Sequence, residues 1–174
     1  MKISVVTENQ LPLVQDLANK IWPSTYGEIL SKEQLHYMLD KFYSSENLKL
    51  QLNSNHVFLL IQEQNFYLGY LDYELNYENS NKTKIHKIYV LPETQGKGIG
   101  KTFVQYVEKI AKKANQKGIL LNVNRFNKAI GFYENLGFQK TQTLDVEIGN
   151  GYLMEDFIME KEIHSTSNAN NLLS

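Results

Sequence analysis

The amino-acid sequence predicts an α+β fold, a mixed and mostly antiparallel seven-stranded sheet flanked by helices. Three features lead there. Residues 8–52 follow a helical apolar period, the period shortens to that of strands from His56 onward, and one strand–helix–strand unit spans Lys84 to Val123. That unit is expected to be parallel with a right-handed crossover, while the hairpins around it supply antiparallel pairs.

Lys2 to Val6 alternates as a short strand. Thr7 with Gln10 three residues later has the spacing of a capping box, and Leu11, Val14, Leu17, Ala18 and Ile21 then line one helical face. Trp22-Pro23 is expected to stop that helix, because proline brings no N–H to the ladder, leaving Trp22 to Tyr26 in a connecting bend. Ser31-Lys32-Glu33-Gln34 repeats the capping pattern ahead of Leu35, Met38, Leu39 and Phe42, and Glu46 to Leu52 reads as a further short helix. Val57 to Ile61 and Phe66 to Asn76 form a hairpin about Gln64-Asn65, and Lys84 to Leu91 is the next strand, closed by Pro92. The helix from Gly98 to Asn115 carries Ile99, Phe103, Val107, Ile110 and Ala114 on one face, and Ile119 to Val123 follows as a buried strand. A helix from Asn127 to Leu136 ends at Gly137, which suits a left-handed cap. Gln139 to Ile148 and Tyr152 to Ile163 are two last strands around Gly149-Asn150-Gly151.

A length of 174 residues fits one core, expected over residues 1–163, with the small polar stretch 164–174 as an unstructured tail. Apolar residues at 42% and charged residues at 21% are ordinary for a globular chain. The absence of cysteine excludes thiolate nucleophiles, cysteine-based zinc sites and disulfide scaffolds. No run approaches a membrane helix, and Met1-Lys2-Ile3-Ser4 enters strand pattern rather than an apolar leader, so a cytoplasmic protein with no membrane partner is expected; Asn81-Lys82-Thr83 then reads as a turn. A net charge of −1 argues against a nucleic-acid partner. The charge is uneven, however: between Pro92 and Lys128 seven lysines and Arg125 face only Glu93 and Glu108. Either these are solvated helix faces or an anion binds beside them.

Gln95-Gly96-Lys97-Gly98-Ile99-Gly100-Lys101-Thr102 falls where a strand has ended and a helix is about to begin. A helix N-terminus presents unpaired N–H groups and partial positive charge, and glycine lets an anion approach the main chain, so the segment reads as a phosphate cradle. A P-loop ending in Gly100-Lys101-Thr102 needs glycine at position 95, where Gln95 stands. A dinucleotide fingerprint needs Gly-x-Gly-x-x-Gly, whereas these glycines fall at 96, 98 and 100 behind a hairpin. A third pattern, Gln-x-x-Gly-x-Gly, is met by Gln95, Gly98 and Gly100.

That stretch, preceded by Ile88-Tyr89-Val90-Leu91-Pro92, resembles the cofactor-binding motif of the GNAT superfamily of acetyl-coenzyme A-dependent N-acetyltransferases. Asn127-Lys128-Ala129, then Phe132-Tyr133 and Leu136-Gly137-Phe138, resemble the superfamily's second motif, and the element order is similar from residue 2 to about 163. The N-terminal helices resemble, more loosely, those of bacterial polyamine-type members. The resemblance implies the GNAT fold, acetyl-coenzyme A as co-substrate, and no metal. It implies that the pyrophosphate lies on the main-chain N–H groups of Gln95, Gly96, Lys97, Gly98, Ile99, Gly100 and Lys101. The pantetheine arm would pair with Ile88, Tyr89 and Val90, with the N–H near Val90 polarising the thioester carbonyl. Asn127 matches a side-chain contact to the cofactor, Tyr133 the tyrosine that protonates the departing thiolate, and His86 a position from which a side chain relays the proton of the amine.

Each of these residues also has a plainer reading. Asn127 suits an N-cap, Tyr133 a packing aromatic, and His86 a strand-face histidine. Strand alternation places His86 on the face of Ile88 and Val90, and loss of its imidazole is expected to be felt most at low pH. The resemblance further implies that acceptor specificity comes from Trp22 to Tyr26, from Tyr37, and from the strand face of Asp72 and Glu74, regions that border the acceptor cleft in similar proteins; the acidic excess outside the cofactor segment suits a cationic amine or polyamine. Phe66, Tyr67, Tyr70 and Tyr73 suit hairpin packing better than a substrate cage. The leading expectation is acetyl transfer to a small primary amine by direct attack in a ternary complex, since no cysteine exists to carry the acetyl group. Acetylation of protein N-termini or lysines, and a non-catalytic acetyl-coenzyme A sensor, are the alternatives. Pairing through the last two strands offers a route to a homodimer.

Overall fold

The computed structural model describes residues 1–164, so the expected unstructured tail lies, but for His164, outside the described residues. Seven strands, β1 (Lys2–Val5), β2 (His56–Glu63), β3 (Phe66–Glu74), β4 (Lys82–Val90), β5 (Gly118–Asn124), β6 (Gln139–Gly149) and β7 (Tyr152–Glu162), form one sheet in the order β1-β2-β3-β4-β5-β7-β6. β4 and β5 are parallel and the other neighbours antiparallel, as the single crossover through α4 (Ile99–Lys113) requires. β7 lies inside the sheet, so of the last two strands only β6 offers a free edge.

The sheet separates two apolar layers. On one face α4 and the short α5 (Ile130–Asn135) lay Ile99, Phe103, Val107, Ala111 and Tyr133 against Leu59, Leu71, Ile85, Leu121 and Met159. On the other, α1 (Leu11–Tyr26), α2 (Lys32–Tyr43) and α3 (Ser45–Leu52) cover Phe58, Leu60 and Tyr70. The Ser31 side chain accepts the Gln34 N–H at 3.1 Å, capping α2 as its sequence spacing predicts. Thr7 donates its N–H to the Gln10 side chain at 3.0 Å, but the helical turn it opens, Glu8–Gln10, is a 3₁₀ turn ahead of α1.

Lys82 and Thr83, expected in a turn, are instead the first residues of β4, paired with Gly118 and Ile119, and two larger expectations fail for identifiable reasons. Pro23 does not end α1, and Trp22 to Tyr26 is not a bend: the helix runs on to Tyr26, and Gly27 donates its N–H to the Pro23 carbonyl at 3.0 Å. The lost ladder bond is outweighed because Ile21, Trp22 and Tyr26 continue the buried stripe, with Trp22 centred 4.8 Å from Tyr26, 5.4 Å from Tyr43 and 5.7 Å from Tyr89. The second failure is the face of His86. Asp72 pairs with Lys87 and Tyr73 with Ile85, leaving His86 as the extra residue of a β-bulge. The bulge resets the alternation: Ile85, Ile88 and Val90 pack in the α4 layer, while His86 stacks on His56, centroids 4.2 Å apart, in the α1 layer.

The pairing just beyond this bulge is tight. A Cβ built on Gly69 would lie 2.4 Å from the Tyr89 carbonyl oxygen, a backbone atom that cannot retreat without breaking the β3–β4 ladder. Gly69→Ala is therefore expected to destabilise the fold by about 1–3 kcal/mol, measured by denaturant unfolding. No helix is long and apolar enough to cross a membrane among the described residues.

Candidate active site

β4 and β5 pair only from Lys82–Ile85 against Gly118–Leu121, after which the two strands diverge. β4 stays with β3, and β5 is held by β7 as far as Asn124, so the divergence opens a wedge at the carboxyl ends of both strands. In the wedge and in the space above it lies a cleft of 1190 Å³, walled by the end of α1, by β4 and β5, by the turn before α4, and by residues 126–136.

The β4 wall offers main chain. Leu91 donates its N–H to Leu68 at 2.8 Å, and bonds in an antiparallel ladder alternate, so Leu91 and Tyr89 face β3 while Ile88 and Val90 turn their N–H and C=O groups into the wedge. This is an open strand edge in the molecule's interior, suited to an extended, amide-containing chain.

The turn before α4 offers donors. Gly96 and Gly98 both adopt φ +78°, the left-handed region that favours glycine. Thr102 makes the first helical bond, to the Gly98 carbonyl at 3.0 Å, and the N–H groups of residues 96–101 have no acceptor among the described residues. A Cβ on Gly96 or Gly98 would meet no protein atom within 4 Å, whereas one on Gly100 would come 3.0 Å from the Phe132 ring, which closes the cradle from the α5 side. Six successive N–H groups without an acceptor, at a helix N-terminus, suit a diphosphate. Of the predicted cradle residues, Gln95, Gly96, Gly98, Ile99, Gly100 and Lys101 line the cleft; the Lys97 side chain lines a neighbouring cavity of 1000 Å³.

Three hydroxyls and one imidazole face the same space. Tyr133, from α5, is held edge-on between Phe132 (5.1 Å) and Phe138 (6.0 Å), and its hydroxyl has no partner among the described residues. Burial, with the Tyr26 hydroxyl nearby, pushes the Tyr133 phenol well above its usual range. The hydroxyls of Tyr26 and Tyr89 hydrogen-bond at 2.8 Å, and burial raises Tyr26 to about 12. His86 shares a 3.0 Å hydrogen bond between its Nε2 and Glu74, and burial lowers it to about 4 against the pull of Asp72, so the ring is neutral near pH 7. Asn127 is not the N-cap of α5, a position held by Ala129, but its Oδ1 accepts the Ala129 N–H at 2.9 Å and so closes the turn that leads into the helix. That turn begins at the predicted Asn127, but regular α-helix begins only at Ile130, because the first bonds close three-residue turns.

The structure thus brings His86, Ile88, Tyr89, Val90, Asn127, Tyr133 and Tyr26 together, and leaves four predicted acceptor-side residues away from the cleft. Trp22 is buried among aromatics. Tyr37 donates to the Ile148 carbonyl at 2.7 Å and packs on Tyr152. Asp72 is fully buried and is held by His56 at 2.8 Å and Lys87 at 2.7 Å, contacts that keep its carboxyl below the usual carboxylate range despite burial. Glu74 reaches the cleft only through His86. Tyr70 and Tyr73 are buried packing residues as predicted, and Phe66 is exposed at the hairpin tip. Two polar residues at the wedge were not singled out from sequence: Asn122 on β5, which lines the cleft, and the buried Asp156 on β7 beside it. Their signal was there in principle, one amide inside Ile119–Val123 and, between Met154 and Ile158, Asp156 beside Glu155.

Comparison with known proteins agrees with this geometry. The Acetyltransferase (GNAT) family profile matches residues 12–138. A spermidine N(1)-acetyltransferase of Thermoplasma acidophilum is 32% identical over 95% of this chain and 99% of its own length. Among solved structures, the PaiA N-acetyltransferase of Thermoplasma acidophilum in complex with coenzyme A superposes with a TM-score of 0.76 and 29% identity, covering 94% of this chain and 100% of that one. A GCN5-related N-acetyltransferase of Rhodopseudomonas palustris, at 17% identity, shares the fold with a TM-score of 0.79 over 93% of this chain and 95% of its own. A wedge between parallel strands, a glycine cradle facing it and a family match across most of the chain establish that this protein belongs to the GNAT family and is an acetyl-CoA-dependent N-acetyltransferase.

Proposed function

We propose that the enzyme transfers the acetyl group of acetyl-coenzyme A to a primary amine of a small cationic acceptor of the polyamine class, by direct attack in a ternary complex. The observation that carries this reading is the juxtaposition in one cleft of six unpaired main-chain donors, an open strand edge and the free Tyr133 hydroxyl. The acceptor class is supported by the likeness to a spermidine acetyltransferase over nearly the whole chain.

Each group has a task that follows from its chemistry. The N–H groups of residues 96–101 hold the diphosphate, and the amide-bearing arm runs along Ile88 and Val90 toward the narrow end of the wedge. The Val90 N–H, fixed by the ladder behind it, stabilises the negative charge that grows on the thioester oxygen during attack. Tyr133 donates a hydrogen bond to the departing sulfur. The amine arrives mostly protonated, since its ordinary pKa is about 10, and gives one proton to solvent before its lone pair can attack. His86, neutral and oriented by Glu74, takes a proton as the C–N bond forms and the nitrogen becomes acidic.

A histidine that titrates near 4 is already a free base throughout the usual assay range. The low-pH emphasis expected from an ordinary imidazole therefore gives way to a uniform effect. His86→Ala is expected to lower kcat about tenfold at every pH from about 6 to 9, read from full pH–rate profiles of both proteins. A loss confined to the acid limb would contradict the role. The acceptor class is tested by thiol release from acetyl-coenzyme A with spermidine, amino acids, aminoglycosides and short peptides. Turnover is expected to be fastest with spermidine, and activity confined to peptides would replace this reading with protein acetylation.

A further inference from the structure

Beside the cleft, directly behind Asn122, lies an acceptor surplus that the steps above leave unused. Asp156 is 3% exposed, has no cation within ion-pair distance among the described residues, and receives one long hydrogen bond, 3.5 Å from Asn122 Nδ2. The other end of that amide, Asn122 Oδ1, is buried with no donor at all. The cations nearest in charge are engaged elsewhere: Arg125 pairs with Asp145 at 2.7 Å and with Glu155 at 3.2 Å, and Lys84 lies 4.2 Å over the Tyr77 ring.

The position of this pair is as telling as its chemistry. Ile85 and Leu121 are the last residues paired across β4 and β5, so His86 and Asn122 are the first residues on the two diverging arms. Asp156 sits opposite Asn124 on the neighbouring strand, and its charge is felt by the Tyr26 hydroxyl in the cleft. A buried carboxylate with one long donor and a buried amide oxygen with none are an incomplete site, and what completes it must bring several N–H groups and positive charge. A protonated primary amine brings three donors on one nitrogen. An anion or an acceptor-rich group would find nothing here to bind.

We propose that Asp156 and Asn122 form the ammonium-recognising end of the acceptor subsite, receiving the amine nitrogen at the narrow end of the wedge across from His86. This rests on the small-amine reading above. Asp156 is then a specificity residue that carries a cost in the free enzyme. Burial raises its carboxyl above the usual range, so its contribution to folding is favourable only while it is protonated and is lost as pH rises through the raised value. At neutral pH removal of the charge stabilises the empty protein while weakening acceptor binding, the opposite of what a structural carboxylate would do.

The test is steady-state kinetics of wild type, Asp156→Asn and Asn122→Leu with spermidine as acceptor, together with their Tm. Asp156→Asn is expected to raise KM for spermidine about tenfold or more, to leave KM for acetyl-coenzyme A within about twofold, and to raise Tm; Asn122→Leu is expected to give a smaller rise in spermidine KM. An unchanged spermidine KM, an equal loss toward acetyl-coenzyme A, or a lowered Tm in Asp156→Asn overturns the proposal. Should either variant fail to fold, wild-type crystals soaked with spermidine decide: a nitrogen within about 3.2 Å of Asp156 supports it, and a nitrogen bound elsewhere overturns it. Wild type that uses spermidine while Asp156→Asn keeps its KM removes this inference alone; wild type that acetylates no cationic amine removes the small-amine reading and this inference with it.

Discussion

Tyr133→Phe is expected to lower kcat by about 10²-fold while leaving KM for acetyl-coenzyme A and the stability of the protein close to wild type. The ring provides packing, edge-on to Phe132 and Phe138, and phenylalanine keeps it. The hydroxyl has no partner among the described residues, so its removal orphans no other group. What is lost is the donor aimed into the cleft. Burial holds that phenol well above 10, whereas a thiol such as that of coenzyme A titrates near 8.5, so full proton transfer from Tyr133 to the thiolate would run uphill. Its effective contribution would be a hydrogen bond to sulfur that strengthens as negative charge develops there, with the final proton relayed from the nitrogen by way of His86 and solvent. Stopped-flow or steady-state thiol release gives kcat, and thermal unfolding gives the stability. A variant with unaltered kcat would make Tyr133 a packing residue.

The second large effect belongs to the cradle. Gly98→Val is expected to weaken binding of coenzyme A by about 10²-fold, measured by calorimetry, with a stability loss of only about 1–2 kcal/mol. The stability term is small because a Cβ at this position meets no protein atom, leaving only the strain of a branched residue at φ +78°. The binding term is large because the side chain fills the space into which the free N–H groups point, and relief of the strain would swing several donors off target at once. Gly96, with the same φ and the same empty surroundings, is expected to behave alike.

Much of this architecture was legible in the sequence because it is written in local patterns. The helix–strand order, the crossover between β4 and β5 and the glycine cradle follow from apolar period, caps and breakers, which act over a few residues. The proposed cofactor side of the cleft is built from such a turn and from one strand's main chain, features that motif spacing can bring out. Pro23 misled because a proline's local cost competes with tertiary burial: Trp22 and Tyr26 join a cluster with Tyr43 and Tyr89 that no local rule sees. The face of His86 misled because a one-residue bulge, invisible in its own strand, is set by pairing with Asp72 and Tyr73. The acceptor side was the least legible part for the same reason. Asn122 and Asp156 are 34 residues apart and become neighbours only when β7 inserts between β5 and β6.

The central claim, that the divergence of β4 and β5 holds the acetyl donor with its diphosphate on main-chain amides, is tested most directly by a crystal structure of the enzyme with acetyl-coenzyme A. The account predicts diphosphate oxygens within hydrogen-bonding distance of the N–H groups of residues 96–101, the thioester carbonyl on the Val90 N–H, and the sulfur beside the Tyr133 hydroxyl. A diphosphate bound away from that turn, or an acetyl group outside the wedge, would contradict it.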